Sequence, residues 1–160
     1  MSSKHHGAGN APANTNDLLD NHPFDAVEHA VLDIARRFFA SFAQPEGQAW
    51  IGAFESARHS FGHQGALLAC SIVNAIQALR SIRTADFGFI NPDCPCCRHR
   101  VTNEERYFIT MLHAIRRGRK SEATLNAMLL CGGLEPVELI EATILLARDL
   151  AAVREIDAMA

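Results

Sequence analysis

The chain has 160 residues, of which 48% are hydrophobic, and a formal net charge of -3 at pH 7. This length fits one domain, and this hydrophobic fraction supplies a core without the need for disulfide bonds. Residues 1–16 are polar, which predicts a flexible tail rather than a secretory signal, followed by a single helical domain over residues 17–160. We find no apolar run long enough for a membrane span, so we expect a cytoplasmic protein without a membrane partner.

Apolar residues recur at intervals of three and four along most of the chain, which predicts an all-α fold. The expected architecture is a single compact bundle of five to six helices with a long loop that contains cysteines. The first three helices are predicted over residues 23–44, 45–59 and 63–83. Asn21 is the expected cap of the first helix, and Trp50 is expected on the inner face of the second.

The second half of the chain carries clear helix start and stop signals. Thr102-Asn103-Glu104-Glu105 has the spacing of a capping box, which predicts a fourth helix from there to about Arg117. A fifth, short helix capped by Ser121 is expected to end at Gly132-Gly133, because glycine adopts the left-handed conformation at low cost. The sixth begins at Pro136, and its wide apolar sector predicts either a central place in the bundle or half of a dimer interface.

Residues 84–101 form an irregular segment whose length is uncommon inside a compact helical domain. Phe87, Phe89 and Ile90 are expected to hold its first half against the core, whereas its second half has no such apolar residues. The second half instead contains Cys94-Pro95-Cys96-Cys97, three of the five cysteines in the chain. This turn resembles a zinc knuckle over four residues, but Arg98 stands where a knuckle has glycine, and the likeness indicates no family.

Cys94 and Cys97 have the Cys-x-x-Cys spacing that lets two thiolates reach one tetrahedral ion. Thiolates favour zinc, with an iron-sulfur cluster or no metal as the alternatives. His59 and His63, four residues apart, are the predicted completing ligands, since they share a face if their helix is continuous. The sequence leaves two other pairs open, namely Cys96 with His99 from the same loop, and Cys131 with His113.

The same cysteines allow three functions. We expect a small cytoplasmic regulatory or protein-interaction module with a structural zinc site in the loop. A thiol redox sensor is an alternative, because Arg98 and Arg100 would favour thiolates and Cys96 next to Cys97 offers a resolving partner. A metal-dependent, hydrolase-like enzyme is the other alternative, with Glu55 or Asp93 as its base. Cys70 and Cys131, on helices, are expected to be small buried residues.

Residues 98–120 contain seven basic and two acidic residues. Arg116, Arg117, Arg119 and Lys120 are therefore predicted to contact an anionic partner. Nucleic acid is the less favoured partner, because the fifth helix carries Leu125, Met128, Leu129 and Leu130, which we expect in a core rather than against bases. A protein partner or a homodimer is favoured.

Overall fold

The computed structural model describes residues 17–159, with the backbone alone for 154–158. This part of the chain contains six α-helices. The predicted all-α fold is thus confirmed, and the predicted tail, residues 1–16, lies outside the described residues. The helices, in chain order, are α1 (Ala26–Ala43), α2 (Ala49–Phe61), α3 (Gly65–Ile82), α4 (Asn103–Arg116), α5 (Lys120–Leu130) and α6 (Val137–Met159). Short 3-10 turns, Leu19–Asn21, Pro45–Gly47 and Gly62–Gln64, precede the first three.

The starts of α1 and α4 are fixed by capping boxes. The box predicted at Thr102 is confirmed, with the Glu105 amide donating to Thr102 Oγ1 at 3.1 Å and the Thr102 amide donating to Glu105 Oε2 at 2.9 Å. The expected cap of α1 at Asn21 is wrong, because Asp25 is the cap and forms a box with Glu28. Asp25 lies three positions before Glu28, so each of the two side chains accepts a hydrogen bond from the backbone amide of the other residue. Asn21 lies too early in the chain to form this pair.

Helices α2 and α3 approach each other closely at Gly65. A Cβ atom on Gly65 would lie 2.5 Å from the carbonyl carbon and oxygen of Ala57, so only glycine permits this approach. The fully buried residues of α2 are the small Ala53 and Ala57, and its large residues lie to the sides. Trp50 is consequently 48% exposed, and its predicted inner position is wrong. Helix α2 also starts at Ala49, later than expected, after a 3-10 turn.

Helix α6 lies centrally, in contact with α3, α4 and α5. One of its two apolar stripes is buried, namely Leu139, Ala142, Leu146, Leu150 and Val153. Helix α5 ends as predicted at Gly132 and Gly133, whose φ angles are 63° and 86°. Its start differs from the prediction: Arg119 occupies the cap position without a side-chain hydrogen bond, and Ser121 lies inside the first turn.

The outer face of α5 is more apolar than expected for a surface. Of its four large apolar residues, only Leu130 is buried, whereas Leu125, Met128 and Leu129 are 58%, 43% and 46% exposed. The expectation that all four belong to the core is therefore wrong. The reason is that Ala123, Asn126, Ala127 and Leu130 already fill the inner face, and a helix packed on one side cannot bury both.

By length and composition alone, one stretch of the described residues could cross a membrane. It is Ala49–Ile82, with a mean hydropathy of 1.4 over an 18-residue window, and the expectation that no such run exists is wrong. This is weak evidence, because a core helix and a membrane span use the same apolar side chains. Helix α3 is such a core helix, with Leu68, Ile72, Ile76 and Leu79 all buried.

Candidate metal centre

The cysteine turn is wound by its own backbone hydrogen bonds. The Cys94 amide donates to Asn91 O at 3.2 Å, and the amides of Cys97 and Arg98 both donate to Cys94 O at 3.1 Å. The Arg100 amide then donates to Cys97 O at 2.8 Å. These bonds form consecutive turns, and they bring the side chains of Cys94, Cys96 and Cys97 close together.

The three sulfur atoms of Cys94, Cys96 and Cys97 all lie within 4.8 Å of one another. Cys96 Sγ is 3.2 Å from Cys94 Sγ and 3.6 Å from Cys97 Sγ. Cys96 is exposed and the other two are partly exposed, so the sulfurs can be reached from solvent. The structure thus adds Cys96 to the pair that the Cys-x-x-Cys spacing predicted, and this cysteine group could hold a metal ion.

The sulfurs also differ in acidity. Hydrogen bonds from Cys97 and then from Cys96 lower the pKa of the Cys94 thiol. The hydrogen bond to Cys94, followed by that to Cys96, raises the pKa of Cys97 to about 11. Cys94 therefore becomes a thiolate more readily than Cys97 does.

A buried ion pair holds the backbone that follows the turn. Arg36 of α1 donates to Glu105 of α4 through Nε at 2.7 Å and Nη2 at 3.0 Å, and the side chains are 4% and 0% exposed. The same guanidinium donates to Arg98 O at 2.9 Å and to Arg100 O at 2.6 Å. We call Arg36 and Glu105 the loop clamp. The second half of the loop, expected to lack apolar contacts, is held by these polar ones.

Glu105 also holds the first half of the loop. Its Oε1 accepts a hydrogen bond from the Ile90 amide at 2.9 Å. Thr102 Oγ1 donates to Gly88 O at 2.7 Å, and Phe39 stacks on Phe87 with ring centroids 4.2 Å apart. The predicted packing of the first half against the core is confirmed for Phe87 and Phe89. Both ends of the cysteine turn are thus tied to α1 and α4.

One residue of the loop clamp, Arg36, could have been recognised from its position in the sequence, but the predictions did not include it. Arg36 lies between Leu32 and Phe39 on the apolar face of α1, where a charge is unexpected unless it has a buried partner. The sequence marks Glu105 only as a capping residue. The pairing of the two residues could not be derived from the sequence, because they are 69 positions apart.

The predicted histidine ligands do not lie in the sulfur group. His59 lies in the last turn of α2 and His63 in the following 3-10 turn, both exposed, and His99 is exposed within the loop. Among the described residues, the group includes no histidine and no carboxylate. The alternative ligands Cys131 and His113 have other contacts. Cys131 is buried at the end of α5, as predicted for a small core residue, and His113 contacts Glu28. Cys70, expected to be buried, is exposed on α3.

The two candidate bases of the enzyme hypothesis also lie outside the sulfur group. Asp93 pairs with Arg37, with Oδ1 3.2 Å from Nη1, although it directly precedes Cys94. Glu55 is exposed on α2 and lines a shallow groove with Trp50 and His63. Among the residues that the structure describes, no carboxylate therefore belongs to the sulfur group.

Much of the predicted anion-binding block neutralises Glu28, a fully buried carboxylate on α1. Arg116 donates to Glu28 Oε1 and to Asp25, and Arg117 Nη1 lies 2.8 Å from Glu28 Oε1. His113 Nδ1 lies 2.9 Å from Glu28 Oε2. Burial alone would raise the pKa of Glu28, but the hydrogen bonds from His113, Asp25 N and Arg117 and the charge of Arg116 lower it overall.

Of the four basic residues predicted to contact a partner, three therefore have carboxylate partners within the described chain. The third is Arg119, whose Nη1 lies 2.8 Å from Glu122 Oε2. Lys120 is exposed at the start of α5. The local excess of positive charge is largely explained by these internal pairs.

The chain matches no protein-family model, no curated protein and no solved structure. Its functional interpretation therefore comes from the geometry of its own residues. The cysteine group and the loop clamp that holds it carry that interpretation.

Proposed function

We propose that Cys94, Cys96 and Cys97 bind one zinc ion as thiolates, and that the chain is a small cytoplasmic regulatory or protein-interaction protein with this structural metal site. The observation that carries the proposal is the placement of three sulfurs within 4.8 Å of one another on one short turn. A reducing compartment keeps such thiols available to a metal ion.

The sulfur separations suit zinc. Zinc-thiolate bonds of about 2.3 Å in a tetrahedron place sulfurs about 3.8 Å apart. The observed separations of 3.2 and 3.6 Å are close to that value, so small side-chain rotations suffice to accommodate the ion. Three thiolates also give the site a negative charge, and two exposed arginines, Arg98 and Arg100, follow the turn in the chain.

The fourth coordination position is open to water or to a side chain that can move. His99 is the nearest histidine in sequence, two residues after Cys97, and its backbone is fixed by the Leu19 amide, which donates to His99 O at 2.8 Å. The geometry therefore favours His99 over the predicted pair His59 and His63 as the protein ligand. In this role the ion ties the cysteine turn together and presents a rigid surface to a partner.

Metal analysis of the purified full chain tests the proposal. We expect one zinc per chain, and none after replacement of Cys94, Cys96 and Cys97 by serine, because serine hydroxyls are poor zinc ligands. Cys70→Ser is the matched control, since this exposed cysteine lies on α3 outside the sulfur group. Its zinc content should equal that of the unchanged protein.

Three results would contradict a zinc site. Equal zinc in the triple variant would place the metal elsewhere. A brown protein that contains iron would indicate an iron-sulfur cluster. Full-length protein purified under reducing conditions without any metal, and unable to take up added zinc, would leave the thiols to another use.

The acidity difference between the thiols supports a second candidate, a thiol redox sensor. Cys94, with its lowered pKa, would be the thiolate that hydrogen peroxide oxidises to a sulfenic acid. The neighbouring Cys96 sulfur, 3.2 Å away, would then displace water to form a disulfide. Mass spectrometry after peroxide treatment of metal-free protein should find this Cys94–Cys96 bond if the sensor exists. Zinc-loaded protein that resists the same treatment would favour the structural site.

A further inference from the structure

A pocket lies between the carboxyl-terminal parts of α1 and α3 and the first half of the cysteine loop. Its volume is about 410 Å³, within the range of roughly 300 to 1,000 Å³ that is typical of small-molecule sites. All three segments contribute large apolar side chains to its lining, namely Phe39, Phe42, Leu79, Phe87 and Phe89. The ring of Phe39 lies between the two loop rings, with centroids 4.2 Å from Phe87 and 6.0 Å from Phe89. We call this cavity the loop pocket.

Arg80 supplies a positive charge at the loop pocket. It is exposed on α3, and its Cζ lies 4.0 Å from the centroid of the Phe42 ring. This cation–π contact holds the guanidinium against the apolar lining. Its Nη1 donates to Gln77 Oε1 at 2.8 Å. Among the residues that the structure describes, no carboxylate forms an ion pair with Arg80.

Asp86 supplies a negative charge at the same pocket. It is exposed in the loop, and its backbone is held because Arg83 Nε and Nη2 donate to Asp86 O at 3.3 and 2.7 Å. Within the described chain, its carboxylate has no basic partner. Arg83 also lines the pocket, but it donates to Leu130 O and lies 3.5 Å from Glu104. The pocket therefore offers one positive and one negative side chain that the described residues do not neutralise.

We propose that the loop pocket binds a large apolar α-amino acid, with its side chain on the phenylalanine rings, its carboxylate at Arg80 and its ammonium group at Asp86. The guanidinium presents a planar set of donors that matches a carboxylate. A fatty acid or a phosphate ester fits less well, because its anion would meet the like charge of Asp86. An apolar amine would meet the like charge of Arg80. Only a zwitterion with an apolar side chain complements all three features of the pocket.

The loop pocket shares its wall with the segment that carries the cysteines. Phe87 and Phe89 lie just before Ile90, whose amide donates to Glu105 Oε1 at 2.9 Å, and Arg36 Nε donates to the same oxygen at 2.7 Å. A ligand that orders this wall therefore also favours the loop clamp. In the regulatory protein proposed above, the amino acid would act as an effector. That role rests on the proposed function, whereas the binding itself does not.

Calorimetric titration of the full chain with three related ligands tests the site. L-phenylalanine carries both charges, L-phenylalaninamide lacks the carboxylate, and 3-phenylpropanoate lacks the ammonium group. We expect L-phenylalanine to bind at least about threefold more tightly than either analogue, because each analogue loses one exposed ion pair. L-leucine should also bind, since the lining recognises apolar surface.

Two substitutions assign the charges to their residues. Arg80→Gln should weaken the binding of L-phenylalanine and of 3-phenylpropanoate roughly threefold to fivefold, and it should not weaken the binding of the amide. Asp86→Asn should weaken L-phenylalanine and the amide by a similar factor, and it should spare 3-phenylpropanoate. Arg58→Gln is the matched control, because Arg58 is exposed on α2 and does not line the loop pocket. Circular dichroism checks that the variants remain folded.

Several results would overturn the inference. One is the absence of binding by both L-phenylalanine and L-leucine at millimolar concentrations. Another is equal affinity for all three ligands, which would leave only apolar contacts. A third is a variant that weakens all three ligands alike, as a purely structural role of Arg80 or Asp86 would do. The pocket includes none of the cysteines, so the triple cysteine variant should still bind L-phenylalanine. Loss of zinc with retained binding, or the reverse, would therefore separate the two proposals.

Discussion

Glu28 shows how a single buried carboxylate organises charges from distant parts of the chain. It lies in the first turn of α1, accepts hydrogen bonds from His113, Arg116 and Arg117, and is 0% exposed. The sequence placed these arginines together at the end of α4 and suggested a surface for anions. It could not reveal that their partner lies more than 80 residues earlier, because charge patterns along one helix do not report on contacts between helices.

We predict that Glu28→Gln flattens the dependence of stability on pH. The pKa of Glu28 is lower in the folded protein, so its contribution to the free energy of unfolding is complete above the unfolded value of about 4.3. That contribution is lost as the pH falls through the lowered folded value. Chemical denaturation between pH 7 and pH 3 should show a smaller decline for the variant than for the unchanged chain.

The substitution also costs stability at pH 7, about 1 to 3 kcal/mol, because Arg116, 10% exposed at its side chain, loses the charged oxygen of Glu28 and keeps only its pair with Asp25. Asp25→Asn is a milder second variant, since asparagine keeps the helix cap while it removes another carboxylate whose pKa is lowered. It should flatten the profile in the same direction. Glu46→Gln, at an exposed position, is the control, and a pH profile identical in all three variants would contradict the prediction.

At the scale of elements, the α2 and α3 pair depends on one glycine. Helical periodicity predicted both helices. The sequence did not show which residues form the contact, because Trp50 and Phe54 dominate the apolar pattern of α2 whereas the small Ala57 makes its close approach to Gly65. Small residues leave a weak signal in a periodicity based on hydrophobicity.

We predict that Gly65→Ala destabilises the protein although alanine is the better helix former. Helix propensity favours the change by about 1 kcal/mol, but the new methyl group would lie 2.5 Å from the Ala57 backbone and force α2 and α3 apart. Overpacking of this kind costs about 1 to 3 kcal/mol or more. Thermal unfolding should therefore show a lower Tm.

Gly52→Ala is the matched control for this prediction. Gly52 also lies inside a helix, but its added Cβ would meet only the Arg37 side chain, at 3.3 Å from Nη1, which can move. This variant should be neutral or more stable than the unchanged chain. Equal Tm changes in both variants would mean that the contact at Gly65 carries no special cost.

At the scale of the whole molecule, the fold class and the approximate positions of the helices could be predicted because apolar periodicity and capping signals are local. The cysteine group was predicted in part: Cys94 and Cys97 lie together, with Cys96 as a third member. The histidines were not brought to them, because a spacing of four residues shows a shared helix face but not where that face points. The loop clamp could not be predicted, because its hydrogen bonds join α1, the cysteine loop and α4, and α1 is far from the other two in the sequence.

We predict that Arg36→Met loosens the cysteine loop and costs about 3 to 5 kcal/mol, because Glu105 is left buried without its partner. Hydrogen exchange should increase at the Ile90 amide and in residues 97–101. Addition of Glu105→Leu should recover part of the stability but not the order of the loop, since no donor then reaches Arg98 O and Arg100 O.

The neighbouring arginine provides the control for the clamp. Arg37 also connects α1 to the loop, but its partner Asp93 is 77% exposed at the side chain. Exposed ion pairs contribute at most about 1 kcal/mol, so Arg37→Met should change exchange in the loop far less. A comparable loosening by both variants would show that burial of the clamp is not what orders the loop.

The clamp has a thermodynamic consequence for any ion at the sulfurs. Arg36 binds the carbonyls that directly follow Cys97, so an ion that orders the turn also favours the packing of α1 against α4, and at 100 times its Kd it adds about 2.7 kcal/mol to stability. Linkage is reciprocal, so a substitution that separates these helices should also weaken ion binding. The ion content of the chain would then report how well α1 and α4 are packed.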